Sequence, residues 1–174
     1  MEVMHVSEYD DRILAYTANA DPLHMQHEAV AVITKLLAGH PDEVLRRRPQ
    51  ADKWSVVEII AHLADDELVS TWRYRQMIEQ RGCHLSGFDQ DQWARLGAYS
   101  SWPVESALAL FRLLREQNLR MFARLTEDEW ECWGLHAERG RITVRDLARH
   151  MAGHDRNHIA QIKRILSGLP GTKN

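Results

Sequence analysis

The sequence predicts an all-α protein, an antiparallel four-helix bundle with a short N-terminal arm and a long loop between helices 2 and 3. Four segments carry apolar residues at the three- and four-residue spacing of amphipathic helices. Capping residues, glycine and proline bound these segments, and no strand alternation of any length appears. Four helices joined by short and medium links pack as a bundle. We expect one domain over the 174 residues, with its core at about residues 21–168.

The first two bundle helices have clear start signals. The first begins at Asp21-Pro22, where aspartate is the N-cap and proline takes the first helical position, and it ends at Gly39. The second begins with the capping box Ser55–Glu58 and runs to about Arg81. Residues before 21 are predicted to form the partly helical arm.

A loop is predicted from Gly82 to Trp102, and loops of this length in compact domains tend to be functional. Pro103 opens the third helix, which runs to about Leu125.

The rest of the chain is predicted to be helical apart from one loop. A second capping box, Thr126–Glu129, predicts one short helical turn. A loop around Gly134–Gly140 follows, and the capping box Thr143–Asp146 opens the last helix, which runs to Ser167.

Composition and charge exclude several classes of function. The net charge of −3 gives no basic surface for nucleic acid. The two cysteines, Cys83 and Cys132, form no CxxC pair and are interpreted as ordinary thiols in a reducing cytoplasm. No apolar run could span a bilayer and no signal peptide is visible at Met1, so we expect a cytoplasmic protein without a membrane partner.

Two histidines of the last helix occupy its core-facing side. At about 100° per residue, His158 falls within the apolar stripe and His154 at its edge. They are one turn apart on one face, so both imidazoles can reach one ion. A His-x-x-x-His pair alone is weak evidence, because two solvated surface histidines give the same spacing.

A third inward-facing histidine strengthens the metal interpretation. His62 lies on the buried side of the second helix, together with Asp66. Burying unpartnered imidazoles is unfavourable, and one divalent metal would satisfy all three rings. Three protein nitrogens leave a position open for water, as in catalytic zinc sites, although such a ligand set also suits nickel, iron or copper. His150 is interpreted as a neighbour of the site or a surface residue. Ordinary loop or surface positions are expected for the remaining histidines, which are His5, His24, His27, His40, His84 and His136.

Several polar and aromatic residues are candidates for the surroundings of the metal. Asp66 either orients His62, takes a proton from a metal-bound water as a tentative catalytic base, or is a carboxylate at the bundle edge. Arg115 and Asn118 lie on an apolar stripe, where pairing with Asp66 or Glu67 is favoured over binding an anionic substrate. Three further residues could line or wall the cavity, Gln161 from the last helix and Trp93 and Tyr99 from the long loop, the last two being alternatively core residues under that loop.

Two segments resemble the DinB-like (damage-inducible) superfamily, which includes the YfiT-type proteins. The first is Arg48-Pro49, Lys53-Trp54-Ser55, Glu58-Ile59, His62-Leu63-Ala64 and Glu67, and the second is Gly140–Leu147 with His150–Ile162. The likeness covers about residues 22–167. It implies a four-helix bundle with His62, His154 and His158 as ligands of zinc or nickel, and a homodimer.

The resemblance leaves the reaction open. It implies a metal-dependent enzyme, a hydrolase or a thiol S-transferase, that activates water or a low-molecular-weight thiol toward a small-molecule substrate. The alternative is a non-enzymatic stress or ligand-binding protein whose metal is structural. A closed site with a fourth protein ligand would favour the structural metal, and an open position facing a cavity would favour catalysis.

Overall fold

A computed structural model describes residues 8–168 of the chain. Over this range the elements are α1 (Glu8–Ala15), α2 (Pro22–Leu37), α3 (Asp42–Arg46), α4 (Val56–Glu79), β1 (Cys83–Leu85), α5 (Gln90–Leu96), a 3₁₀ turn (Tyr99–Ser101), α6 (Val104–Phe122), α7 (Glu127–Trp130), β2 (Trp133–His136), β3 (Gly140–Thr143) and α8 (Val144–Leu166). The predicted four-helix bundle is confirmed, and its members are α2, α4, α6 and α8. Within residues 8–168, no helix combines the length and the apolar character that crossing a lipid bilayer requires.

The predicted capping residues begin the helices that carry the site. Ser55 accepts a hydrogen bond from the backbone N–H of Glu58, whose carboxylate accepts one from the backbone N–H of Ser55. Thr143 and Asp146 form the same reciprocal box at the start of α8. Each box satisfies two N–H groups that a helix start leaves free, which fixes where α4 and α8 begin.

Contacts between the helices show how the bundle is arranged. Along α4 and α8 they run in opposite directions, since Ser70 meets Met151 whereas His62 meets His158 and His154. Along α4 and α6 the contacts advance in the same direction, from Glu67 with Arg115 to Tyr74 with Phe122. The pair α4–α8 is therefore antiparallel and the neighbouring pair α4–α6 is parallel. A parallel pair needs a connection that returns along its length, which explains the long segment between α4 and α6.

A small sheet, which the sequence analysis did not predict, closes one end of the bundle. Its strand order is β1-β2-β3, with β1 parallel to β2 and β2 antiparallel to β3. The strands have three or four residues, too few for a period-two pattern to be recognised. The segment expected as a loop from residue 82 to 102 thus contains β1, α5 and a 3₁₀ turn, and the loop expected around Gly134–Gly140 is a β-hairpin.

Two apolar clusters fill the bundle, one toward each end. The first joins the beginning of α4 to the beginning of α6 and the end of α8. The second joins the end of α4 to the end of α6, the beginning of α8 and the sheet. Between them lies a layer of buried polar residues on all three helices, namely His62, Glu67, Ser70, Arg115, Asn118, His154, Asp155 and His158. The functional candidates therefore sit in the middle of the bundle.

Candidate metal centre

Three histidines from two helices meet in the polar layer. His62 on α4 is 2% exposed, and His154 and His158 on α8 are each 5% exposed. Each offers a ring nitrogen, and these nitrogens all lie within 4.8 Å of one another. The structure thus brings together the three residues predicted as ligands. Within residues 8–168, no further histidine, cysteine, aspartate or glutamate joins this group.

Two of the three spacings between the ring nitrogens match those expected around a tetrahedral metal. The Nε2 atom of His154 lies 3.3 Å from that of His62 and 3.1 Å from that of His158. Zinc–nitrogen bonds of ~2.0–2.1 Å at the tetrahedral angle place two ligand nitrogens about 3.3 Å apart. The donors are all imidazole nitrogens, which suit zinc, nickel, copper or iron, so the residues fit a divalent metal without selecting its identity.

Among the remaining ring nitrogens, Nδ1 of His158 forms a hydrogen bond that orients its ring. The Nδ1–H of His158 donates to Oε1 of Gln161 at 2.9 Å. Because an amide oxygen only accepts, the proton is on Nδ1 and the lone pair of Nε2 is directed toward the cluster. Nδ1 of His154 lies 3.4 Å from Oδ2 of Asp66, but neither this atom nor Nδ1 of His62 forms a hydrogen bond, and both are buried. Gln161 thus contacts the ligand His158 but, contrary to the prediction, it is not among the residues that line the cavity.

Burial keeps the three imidazoles neutral. It lowers the pKa of His158 to about 4 and holds the pKa values of His62 and His154 well below the ordinary value. Repulsion from the neighbouring rings lowers the pKa of His62 and His154 further. Neutral imidazoles are the form that binds a metal, so the cluster is ready to ligate at neutral pH.

Asp66 lies beside His154 and not beside His62, which it would orient in one of its three predicted roles. Its carboxylate faces Nδ1 of His154, on the side of the ring away from the clustered Nε2 atoms. Burial raises the pKa of Asp66 to about 7, and the positive charge of Arg73 opposes this rise. A carboxylate behind a metal-ligating imidazole fixes its orientation and increases its basicity. This contact favours the orienting role, and the role of catalytic base stays a prediction.

A buried ion network supports the ligands from behind. Arg115 on α6 is 1% exposed and donates to both carboxylate oxygens of Glu67 and of Asp155. Asp155 directly follows the ligand His154 on α8. Burial raises the pKa of Asp155 to about 6, against the opposing effect of Arg115. Asn118 donates to Glu67 at 2.7 Å. The predicted pairing of Arg115 and Asn118 with Glu67 is confirmed, and it ties α4, α6 and α8 together.

A cavity of about 530 Å³ opens on the histidine cluster. Aromatic side chains form part of its wall, and Trp54 lies with its ring centre 5.0 Å from that of His62. Charged and polar side chains from four parts of the chain line the rest, namely Asp66 and Arg73 on α4, Asp89 and Asp91 near α5, His136, Glu138 and Arg139 in the hairpin, and His150 and Asn157 on α8. The side of the cluster that no protein ligand occupies therefore faces a space that can hold a small molecule.

Several expectations about the surroundings need correction. Trp93 packs on Phe88, with ring centres 4.8 Å apart, and lines a neighbouring groove instead of this cavity. Tyr99 is buried and donates to Asp65, which makes it a core residue under the loop, the alternative interpretation. The metal cavity is walled instead by Trp54, from the segment before α4, and by Phe88.

Two histidines outside the ligand set are also buried. His136 is 5% exposed and lines the cavity, contrary to the expectation of a surface position, because it belongs to the unpredicted strand β2. His150 is 8% exposed and lines the cavity as well, so it is a neighbour of the site and not a surface residue. Of the six histidines expected at loop or surface positions, His24, His27, His40 and His84 are exposed, and His5 lies outside the described residues.

The chain is similar in sequence to several known bacterial proteins. A protein of Oceanobacillus iheyensis named "putative metal-dependent hydrolase" is 27% identical over 131 residues, covering 75% of each chain. A second protein of that organism, with the same kind of name, is 28% identical over 63% of each chain. The uncharacterized protein YuaE of Bacillus subtilis is 24% identical over 74% of this chain and 87% of its own.

The fold has a counterpart among solved structures. YfiT from Bacillus subtilis, a four-helix bundle of unusual topology, superposes with a TM-score of 0.77 at 18% sequence identity and covers 95% of this chain and 90% of its own. The family model of the DinB superfamily matches residues 26–162, which include all three clustered histidines and most of the bundle. The chain belongs to the DinB superfamily.

Proposed function

We propose that the chain is a metal-dependent hydrolase with His62, His154 and His158 as metal ligands. The observation that supports this most is the position of the cluster, three neutral nitrogens whose open side faces a cavity of about 530 Å³. Within residues 8–168 no fourth ligand of the usual types closes the site, which favours catalysis over a structural metal. The names of the relatives favour water as the nucleophile.

The metal would supply a Lewis acid that lowers the pKa of a bound water to about 7 and polarises a carbonyl oxygen. The protein's own residues do the rest. His154, backed by Asp66, and His158, backed by Gln161, hold their Nε2 atoms at fixed spacing. Trp54 packs over His62 and excludes bulk water from that side of the cluster.

The low-molecular-weight thiol that the family resemblance implies is the second nucleophile to test. A thiol and a water would use the same open side of the cluster. The small-molecule substrate, the choice between zinc and nickel and the homodimer likewise stay predictions. A thiol donor would change the reaction from hydrolysis to S-transfer while leaving the three ligands the same.

The test uses purified protein reconstituted with zinc or with nickel. Hydrolysis of a panel of p-nitrophenyl esters is measured beside thioether formation from L-cysteine and 1-chloro-2,4-dinitrobenzene. We expect ester hydrolysis that disappears on chelation, returns with the metal and falls at least about a hundredfold in His158→Ala. Transfer without hydrolysis would reassign the site to an S-transferase. Full metal loading without either reaction would support the non-enzymatic alternative.

A further inference from the structure

The cavity contains a buried arginine that forms no ion pair among the described residues. Arg73 on α4 is 5% exposed and lines the same cavity as the histidine cluster. Its Nη2 donates to the backbone carbonyl of Ser86 at 2.6 Å, while its Nε is buried without any hydrogen bond. Among the residues that the structure describes, no carboxylate forms an ion pair with it.

This is an unusual state for a buried guanidinium. Removing a cation from water without an ion pair is unfavourable, and burial lowers the pKa of Arg73 although the nearby charge of Asp66 opposes this. Arg115, on the neighbouring helix, shows how this chain satisfies an arginine that serves only the structure, since it is saturated by two carboxylates. By contrast, the Nε–H of Arg73 has no acceptor, and the side chain borders a cavity. Both features are those of a side chain that receives an anionic ligand.

The surroundings of Arg73 restrict the kind of anion. Four carboxylates, those of Asp66, Asp89, Asp91 and Glu138, outnumber the two cations Arg73 and Arg139 in the lining of the cavity. They repel a doubly charged group such as phosphate more than a singly charged one. Trp54, Phe88 and Tyr9 offer apolar wall surface. A monocarboxylate with an apolar body matches both features.

The position of Arg73 also restricts the length of the ligand. It follows His62 by eleven positions on the same helix, a rise of about 16 Å between the two Cα atoms. Long side chains on a helix lean toward its N-terminus, so the guanidinium is closer to the cluster than its Cα atom is. An anion on Arg73 and a reacting group at the cluster would therefore be separated by several bonds.

We propose that Arg73 is the binding residue for a carboxylate at the far end of the substrate, so that the substrates are acyl compounds with an apolar body and a terminal carboxylate. The assignment of the reacting end rests on the proposed function. The carboxylate subsite itself rests only on Arg73 and its cavity.

The direct test is binding of 3-phenylpropionate to the metal-free protein, measured by isothermal titration calorimetry beside the neutral 3-phenylpropionamide and inorganic phosphate. Without metal, the carboxylate cannot bind through a metal ion. We expect the acid to bind at least about tenfold more tightly than the amide and than phosphate. Equal affinity for acid and amide would overturn the subsite, and tighter binding of phosphate would overturn the assignment to a monocarboxylate.

Substitutions of Arg73 test whether this residue is where the carboxylate binds. Arg73→Gln should weaken binding of the acid at least about tenfold, whereas Arg73→Lys should retain part of the preference for acid over amide. Arg75→Gln is the matched control, because Arg75 lies on the same helix, outside the cavity, and donates to the backbone of Thr71. Unchanged affinity in Arg73→Gln, or an equal loss in Arg75→Gln, would contradict the proposal.

A measurement on the unmodified chain covers the case in which Arg73→Gln does not fold. The ¹⁵Nε–¹Hε resonance of Arg73, assigned through Arg73→Lys, should shift on titration with 3-phenylpropionate and stay in place with the amide. An unchanged chemical shift of this resonance on addition of the acid would contradict the proposal. Carboxylate binding at Arg73 without any ester hydrolysis would refute only the proposed function, and hydrolysis of esters without carboxylate binding would refute only the subsite.

Discussion

The Nε2 atoms of His62 and His154 lie 3.3 Å apart, although 92 positions separate the two residues in the chain. Both imidazoles are neutral because burial lowers their pKa values. Two lone pairs this close repel each other unless a proton or a cation lies between them. A metal removes this repulsion and joins α4 to α8, so the protein should be more stable with the metal than without it.

Asp66→Asn should weaken metal binding while leaving the ligands in place. The amide keeps the shape of the carboxylate but loses the charge that faces Nδ1 of His154. Loss of such a partner lowers metal affinity by about 10–100-fold. Competition with a chromogenic chelator measures the affinity, and Asp65→Asn, which changes the partner of Tyr99 one position earlier on α4, is the control. Equal affinity in Asp66→Asn and the unmodified chain would contradict the orienting role.

Arg115→Met should destabilise the bundle strongly. The substitution leaves the carboxylates of Glu67 and Asp155 buried without their shared cation, which costs about 3–5 kcal/mol. Arg112→Met provides the comparison, because Arg112 is half exposed and pairs with Glu116 on the surface, where an ion pair contributes about 0–1 kcal/mol. Urea unfolding measures both, and a similar small loss in the two variants would disprove the structural role of the network.

Gly153→Ala should destabilise the protein even though alanine favours helices. A Cβ atom at this position of α8 would lie 2.2 Å from the backbone carbonyl oxygen of Ile13, so α1 would have to move. Such overpacking costs about 1–3 kcal/mol, more than the ~1 kcal/mol of helix propensity that alanine gains. Gly87→Ala, with nothing within 4 Å of the added atom, should be nearly neutral. Thermal unfolding compares them, and a higher midpoint for Gly153→Ala would refute the close approach of α1.

The metal-free protein should lose stability as the pH falls from 6.5 to about 4. Burial and the charges of Arg139 and Arg73 lower the pKa of His136 from 6.5 to about 4. In this window the unfolded chain binds a proton that the folded chain does not, so acid favours unfolding by up to about 1.4 kcal/mol per pH unit for such a group. Above pH 6.5 this effect is absent, because His136 is neutral in both the folded and the unfolded chain.

His136→Asn isolates this effect, because its unfolding free energy should depend less on pH between 6.5 and 4 than that of the unmodified chain. The exposed His84 on β1 provides His84→Asn as the control, with an unchanged pH dependence. Urea unfolding at several pH values measures both variants. Parallel curves for His136→Asn and the unmodified chain would contradict a neutral buried His136.

The bundle could be predicted because its signals are local. Ser55 and Thr143 cap their helices through residues three positions away, and the apolar spacing that follows needs no tertiary information. The sheet could not be predicted in the same way, since β1 pairs with a strand about fifty residues later and each strand is too short for a pattern. The parallel pairing of α4 and α6 likewise depends on the path of the intervening chain.

The metal ligands were predictable for the same reason that the helices were. His62, His154 and His158 replace apolar residues on faces that helical periodicity identifies as buried. The neighbour of Asp66 was not predictable, because the packing of α4 against α8 decides that the carboxylate faces His154. The burial of Arg73 depends on Ser86, in a segment whose course the sequence pattern does not specify.

Metal content, measured on the unmodified chain and on His62→Ala, shows whether α4 and α8 share one metal site. His62→Ala leaves both histidines of α8 in place, so it separates a three-ligand site from a His-x-x-x-His pair. Elemental analysis after reconstitution and desalting should find about one zinc or nickel ion per chain in the unmodified protein, and close to none in the variant. Equal metal content in the two proteins would contradict a site built from α4 and α8 together.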